Sequence, residues 1–268
     1  MNHIEKSIKL IQKLATDKPY NLGFSGGKDS IVLLDLAKRS GVEFRAIYAM
    51  TTIDPPGTTA FIKKYYPEVE ILRPPKTFFQ LVEEKGLPSR TRRWCCEKLK
   101  EQYGIGNRSL EGMRREESPK RGLYEYEQCD SRKWMQGAVH ILVLLEWLEV
   151  QIWDYIRDNN LPYMKYYDSP YNFNRHGCVG CPLCSKAQLR KEFQEFPRYA
   201  FAFIRAIEKH MKNKPNNFIA RNFSDGYEAF YFYVVEQTMS EFKEMKESLF
   251  APDFKAMINR YLRKAIIN

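Results

Sequence analysis

No stretch of this 268-residue chain stays apolar long enough to cross a bilayer. Runs such as Ile141 to Leu145 are far short of the roughly 20 residues a spanning helix needs. The opening residues, Met1 to Lys6, lack the apolar segment of a secretory signal. A cytoplasmic chain with no membrane partner is therefore expected. Internal repeats and low-complexity linkers are absent, which excludes a repeat array. Cysteine is sparse. Six in a reducing compartment do not make a disulfide framework, and none follows Cys184. The Gly-x-x-x-x-Gly-Lys-Ser/Thr string of a P-loop is missing as well.

What is present is an ordinary globular composition, 44% hydrophobic and 28% charged, enough for one large domain and a smaller appendage. Lys and Arg number 43 against 33 Asp and Glu, a net charge of +10. Such a field attracts anions without choosing among nucleotides, nucleic acid and acidic proteins. The basic residues fall in short clusters, at Arg90 to Arg93, Arg114 with Arg115, Lys120 with Arg121, and Arg260 to Lys264.

Hydrophobic spacing supplies the order of elements. Ile4, Ile8, Ile11 and Leu14 recur at helical intervals, so an amphipathic helix opens the chain. Tyr20 to Phe24 reads as a short buried strand, Ile31 to Ala37 as a helix stopping near Gly41, and Val42 to Met50 as a second strand. Further on, Lys76 to Lys85, Cys96 to Gln102 and Leu148 to Asp158 look helical, and Arg108 to Met113 contains a strand. Strand, glycine loop, helix and strand in this order form a βαβ unit. The expected fold is thus α/β, a parallel twisted sheet flanked by helices, with a nucleotide-binding domain over residues 1–192. An aromatic-rich helical region over 193–268 follows, its aromatic stripes read as core.

The loop between the first strand and its helix is Ser25-Gly26-Gly27-Lys28-Asp29-Ser30. Glycines there let successive backbone N–H groups converge on an anion, and the helix N-terminus adds partial positive charge. Lys28 can add a full charge, Ser25 and Ser30 can donate from their hydroxyls, and Asp29 can cap the helix or approach a metal carried by the phosphates.

This loop resembles the pyrophosphate loop of the adenine nucleotide α-hydrolase superfamily, which holds the phosphates of ATP or the matching end of a smaller adenylyl ligand. Three further segments resemble the 3′-phosphoadenylyl-sulfate (PAPS) reductase family within it. Gly112-Met113-Arg114-Arg115-Glu116-Glu117-Ser118 is similar to a motif whose arginine meets phosphate or sulfate. Leu145-Glu146-Trp147 with Val150 to Ile156 resembles a family helix, and Leu161-Pro162-Tyr163 leads to His176-Gly177-Cys178-Val179-Gly180-Cys181-Pro182. The resemblance covers roughly residues 18 to 210. It implies cofactor-binding roles for Ser25 to Ser30, for Thr52 and Asp54 in the loop after the second strand, and for Gly112, Arg114 and Ser118. It makes Lys28 and Arg114 the catalytic residues and ATP, adenylyl sulfate or PAPS the ligand, with Mg²⁺ accompanying the phosphates. The family's usual Asp-Thr-Gly is replaced here by Thr51-Thr52-Ile53-Asp54-Pro55-Pro56, a form resembling a subgroup of mobile elements and defence loci.

Adjacent Cys95 and Cys96 with the later pair Cys178 and Cys181 resemble the four-cysteine set that holds a [4Fe-4S] cluster in adenylyl-sulfate reductases. Ligand count alone suits iron–sulfur or structural zinc equally, and Cys184 is a substitute ligand. The resemblance also implies a C-terminal cysteine that attacks the sulfate sulfur, and this chain has none from residue 185 onward. Three functions follow. The leading one is an enzyme acting on ATP or an adenylyl sulfate at the α-phosphate or sulfate; the second is a reductase using an external thiol. The third is a non-catalytic accessory that binds nucleotide or nucleic acid. An acceptor macromolecule, nucleic acid or protein, and a homo-oligomer complete the expected partners.

Overall fold

The structure, a computed structural model, describes residues 2–235, 238–248 and 251–263; Lys264, the end of the last basic cluster, lies outside the described residues. Its strands are β1 (Tyr20–Gly23), β2 (Phe44–Ala49), β3 (Glu70–Leu72), β4 (Arg108–Glu111), β5 (Glu127–Cys129) and β6 (Val139–Leu142). In chain order the α-helices are α1 (His3–Lys13), α2 (Lys28–Ser40), α3 (Thr58–Tyr65), α4 (Phe78–Lys85), α5 (Pro119–Gly122), α6 (Glu149–Asp158), α7 (Lys186–Glu195), α8 (Pro197–Asn213), α9 (Phe218–Asn222), α10 (Gly226–Val234), α11 (Met239–Glu247) and α12 (Phe254–Arg263). No helix among the described residues is long and apolar enough to cross a membrane.

The chain forms two compact units that interleave in sequence. The first holds residues 1–51, 56–74 and 96–177; the second holds 52–55, 75–95 and 178–268. The functional division at residues 192 and 193 expected from the sequence is a different cut and stays a proposal.

The first unit carries the sheet, ordered β3-β2-β1-β4-β6-β5. Neighbours pair in parallel except β5, which runs antiparallel to β6 at the edge. The expected βαβ unit is β1–α2–β2. Parallel strands need burial on both faces, and α2 supplies it with Ile31, Val32, Leu33, Leu34, Leu36 and Ala37, none more than 1% exposed. Gly41, in the left-handed region at φ +70°, ends that helix as expected. α1 is pinned by a relay in which the Trp147 indole N–H donates to Ser7 Oγ at 2.9 Å and Ser7 Oγ donates to the Val143 carbonyl at 2.9 Å. Cys96–Lys100 forms a π-type turn, not the regular helix expected there.

Near the β5 edge a half-buried ionic knot joins β4, β6 and the residue that follows β5. His140 of β6 lies with Nε2 3.0 Å from Asp130 Oδ2 and Nδ1 3.5 Å from Glu111 Oε1. Burial opposes charge on this imidazole, but the two carboxylates outweigh it and hold its pKa up at about 9. Its ordinary value is near 6.5. The stabilisation is therefore complete below pH 6.5 and is lost as pH rises through 9, a loss of roughly 3 kcal/mol. Urea unfolding at pH 6.5 and pH 9.5 should show this fall, and His140→Gln should flatten it.

The second unit is helical and packs on phenylalanine. Phe203 of α8 lies 5.3 Å from Phe78, 5.2 Å from Phe193 and 6.4 Å from Phe230, centroid to centroid. Phe242 meets Phe223 at 5.3 Å and Phe254 at 5.5 Å. The aromatic stripes of the C-terminal region are core, because rings at helical spacing bury large area and interlock edge to face.

Candidate functional site

The expected phosphate loop follows β1 and opens α2 in the first unit. Gly26 takes φ +74°, which a side chain disfavours, and Gly27 is the helix N-cap. Ser30 Oγ donates to the Gly27 carbonyl at 2.8 Å and lies 3.2 Å from Ser25 Oγ. The two serines thus brace the loop from inside, and the first-turn N–H groups of α2 point outward.

Two backbone N–H groups, one from the first turn of α2 and one from far along the chain, meet on one oxygen. The Lys28 backbone N–H donates to Tyr167 Oη at 3.0 Å, and the His176 backbone N–H donates to the same oxygen at 3.1 Å. A helix N-terminus aims its partial positive charge at such a position. The Tyr167 hydroxyl oxygen occupies that position. Burial, the largest effect, pushes its pKa well above the ordinary value, so it is neutral at pH 7.

Charged groups surround this point. Lys28, buried at 4% exposure, lies 3.3 Å from Asp29 Oδ2 and 3.6 Å from Glu149 Oε1. Arg114, 3% exposed, donates from Nε to Asp29 Oδ1 at 2.7 Å, from Nη1 to Glu116, and lies 3.9 Å from Glu149 Oε2. Asp29, in the first turn of α2, therefore joins two cations. Arg121 sits in the field of Arg175, Asp29 and Arg114; burial, above all, lowers its pKa. Gly112 is closely approached: a Cβ there would lie 3.3 Å from the Asp29 backbone, a tight contact.

His176 contributes more than its backbone. Its Nε2 lies 3.1 Å from Thr58 Oγ1, and its buried Nδ1 has no hydrogen-bond partner among the described residues. Burial, then Lys100 and Arg175, push its pKa down to about 4, leaving a neutral ring at pH 7.

The remaining expected residues are placed otherwise. Ser118 Oγ accepts from the Arg121 N–H at 3.4 Å and caps α5; a serine before Pro119 is the stronger local signal. Thr52 and Asp54 belong to the second unit. Thr52, at φ +64°, accepts the Phe78 N–H on Oγ1 at 2.8 Å, and the Asp54 carbonyl accepts from Tyr199 Oη at 2.7 Å. Sequence reading assigned no role to Tyr167, His176, Arg121, Arg175 or Glu149, although Tyr167 and His176 lie inside or beside the quoted motifs.

With that loop, residues 19–184 match the phosphoadenosine phosphosulfate reductase domain family. The chain belongs to this family. Similar proteins include an uncharacterized protein of Methanocaldococcus jannaschii, 29% identical over 76% of this chain and 53% of its own length. Adenosine 5′-phosphosulfate reductases of Staphylococcus epidermidis and Shouchella clausii are 27% and 29% identical, over 63% and 66% of this chain and 72% and 75% of theirs. The chain spans about half the length or less of the first archaeal relatives it matches, 53% and 40%. The fold is shared with a crystal structure of phosphoadenylyl-sulfate reductase from Candida auris in a phosphate complex. That likeness has a TM-score of 0.50 at 18% identity, covering 66% of this chain and 89% of that one.

Of the six cysteines, Cys129 is exposed, Cys184 is buried, and Cys95, Cys96, Cys178 and Cys181 are half-buried. Cys95, Cys178, Cys181 and Cys184 belong to the second unit and Cys96 to the first. Cys181 and Cys184 face a tight turn closed by the Cys184 N–H on the Cys181 carbonyl at 3.0 Å. Gly180 is gripped on both sides, its N–H by Glu192 Oε2 at 2.8 Å and its carbonyl by Tyr233 Oη at 2.7 Å. Burial raises the pKa of Tyr233, and Cys181, Cys95 and Cys184 raise it further. Among the described residues no group of three or more His, Cys, Asp or Glu side chains is placed to hold a metal ion.

Proposed function

We propose that this chain binds an adenylyl ligand, adenylyl sulfate, PAPS or ATP, with its phosphate or sulfate end on the loop at residues 25–30, and acts at the α-phosphate or sulfate. The observation that carries this reading is the convergence of two backbone N–H groups on Tyr167 Oη. Family membership supports an adenylyl sulfate as the ligand. On binding, an anionic oxygen takes the tyrosine's place, Lys28 neutralises it, and the Arg114 fork turns from Asp29 toward the ligand. The neutral His176 ring offers Nδ1 as a further polar contact. Asp29 is already paired with two cations, so Mg²⁺ would need that carboxylate released.

The test is calorimetry with adenylyl sulfate, PAPS and ATP. Gly27→Val should abolish measurable binding, because even a Cβ there lies 3.2 Å from Ser25 Oγ and 3.3 Å from Tyr167 Oη and a branched side chain blocks close approach. Tyr167→Phe should tighten binding about 3- to 10-fold, since it removes the competing oxygen and leaves two N–H groups unpaired in the free protein. Unchanged affinity in Gly27→Val would sink the reading.

Two chemistries remain proposals for this site. Reduction proceeds by a thiolate attacking the sulfate sulfur with AMP leaving, after which a second thiolate releases sulfite and forms a disulfide. With no cysteine in residues 185–268, both thiols would be Cys129, Cys184 or external ones. Attack of an acceptor at the α-phosphorus with release of pyrophosphate needs no protein thiol, and the missing cysteine favours it. The acceptor macromolecule and a homo-oligomer remain part of this proposal, as does the functional division at residues 192 and 193.

The [4Fe-4S] cluster on Cys95, Cys96, Cys178 and Cys181, or on Cys184 in place of Cys96, also remains a proposal. The support is the donor type alone: four thiols suit a cluster, and Cys181, Cys95 and Cys184 act electrostatically on one buried hydroxyl, while among the described residues no group of three or more such side chains is placed to hold a metal ion. When bound, a cluster would supply an electron reservoir and cross-link the segment at Cys95 to the 178–184 loop. Anaerobic protein should contain about four irons per chain. Cys95→Ser and Cys178→Ser should lose them, and comparing Cys96→Ser with Cys184→Ser identifies the fourth ligand. Stoichiometric zinc would replace the cluster with a structural ion.

A further inference from the structure

Beneath α1, in the first unit, lies a cavity of about 280 Å³. Leu10, Val143 and Trp147 line it with apolar surface, and Tyr126 stands beside them with 38% of its surface exposed. The polar atoms of this floor are spent internally, since the Trp147 N–H is taken by Ser7 and the Ser7 hydroxyl by Val143. What faces the cavity is ring and aliphatic carbon.

Its rim is cationic. Lys6, Lys9 and Lys13 of α1 border the cavity and are exposed. Their i, i+3, i+7 spacing sets them on one helix face, along roughly 10 Å of axis. Among the described residues none of the three forms an ion pair with a carboxylate. Glu146, the one carboxylate in the lining, is paired with Arg115. The cavity therefore offers an apolar slot with an aromatic wall and uncompensated positive charges spaced along its edge.

We propose that this cavity is a binding site for single-stranded nucleic acid, with one unstacked base in the slot against Tyr126 and flanking phosphates on Lys6, Lys9 and Lys13. Stacking platforms joined to a cationic track are how single strands are held. A duplex keeps its bases stacked and cannot fill the slot. The cavity is at the small end of ligand pockets, sized for one ring system. The net charge of +10 adds long-range attraction for a polyanion. The phosphate loop is not involved, so this inference stands apart from the proposed adenylyl chemistry.

The experiment is fluorescence anisotropy of the full chain with labelled oligothymidylate of on the order of ten nucleotides, across a salt series. Single strand should bind more tightly than duplex of the same length. Changing Lys6, Lys9 and Lys13 together to alanine should weaken binding about tenfold or more and flatten the salt slope by about 2, at roughly 0.7 per phosphate contact. Tyr126→Ala should cost about tenfold with the slope unchanged, as loss of stacking requires. Gly27→Val should leave strand binding intact. Photocrosslinking of iodouracil-containing strands should map to Tyr126 or Trp147. The proposal is overturned by duplex binding as tightly as single strand, by crosslinks mapping elsewhere, by strand affinity that survives loss of the three lysines, or by free AMP displacing the strand as effectively as unlabelled oligothymidylate. Melting curves of the lysine and Tyr126 variants, which change exposed side chains, check that the fold is kept.

Discussion

Replacing Arg114 with methionine is expected to weaken adenylyl-ligand binding by roughly 10- to 100-fold, the range for losing charged hydrogen bonds. The same change should cost the free protein about 2–3 kcal/mol. The stability loss arises because Arg114 is 3% exposed and holds Asp29, Glu116 and Glu149. Without it Asp29 and Glu149 keep Lys28, and Glu116 loses the Arg114 guanidinium. The cost sits below that of breaking a fully buried pair, because side-chain exposures of 23%, 44% and 47% let water screen the acids. Arg114→Lys separates the two effects. It keeps the charge, so most of the stability should return, but loses the planar fork, so affinity should recover only in part. Urea unfolding and calorimetry on the same preparations decide it. A methionine variant with unchanged ligand affinity would remove Arg114 from the site.

Gly180→Ala is expected to destabilise the second unit by about 2–5 kcal/mol, a fall in melting temperature of roughly 5–15 °C. Two causes add. Gly180 sits at φ +76°, where a side chain strains the backbone. Its new Cβ would also lie 2.7 Å from Phe193 Cζ and 2.8 Å from Phe203 Cζ. Those rings are 1% and 0% exposed and locked against each other, so neither can retreat without opening the aromatic core. The cysteine loop would shift with it, because both Gly180 backbone groups are anchored, to Glu192 and Tyr233. Thermal unfolding followed by circular dichroism reads the first effect, and thiol reactivity of Cys181 and Cys184 reads the second. A melting temperature within a degree of the parent protein would show that the loop moves freely of the core.

The sequence by itself determined the features that depend on near neighbours. The amphipathic α1, the β1–loop–α2–β2 unit, the stop at Gly41 and the aromatic second core follow from spacing of apolar residues and placement of glycine. Each element's period is written in the residues that form it. Strands β3, β5 and β6 escaped because three or four residues show no clear alternation: Glu127-Gln128-Cys129 reads as polar, and Val139–Leu142 runs into the apolar stretch ending at Leu145. Only the tertiary structure decided what stands before the loop. Tyr167 and His176 lie some 140 residues beyond Lys28 in the chain, and no local pattern could reveal that their hydroxyl and backbone N–H meet at its helix terminus. Ser118 shows the converse. Its motif suggests ligand contact, and its local partners make it a helix cap beside Pro119, with the Arg121 N–H shared between the Ser118 carbonyl at 3.0 Å and its Oγ at 3.4 Å; a hydrogen bond three residues away is formed at little entropic cost, whereas a distant partner must be delivered by the fold.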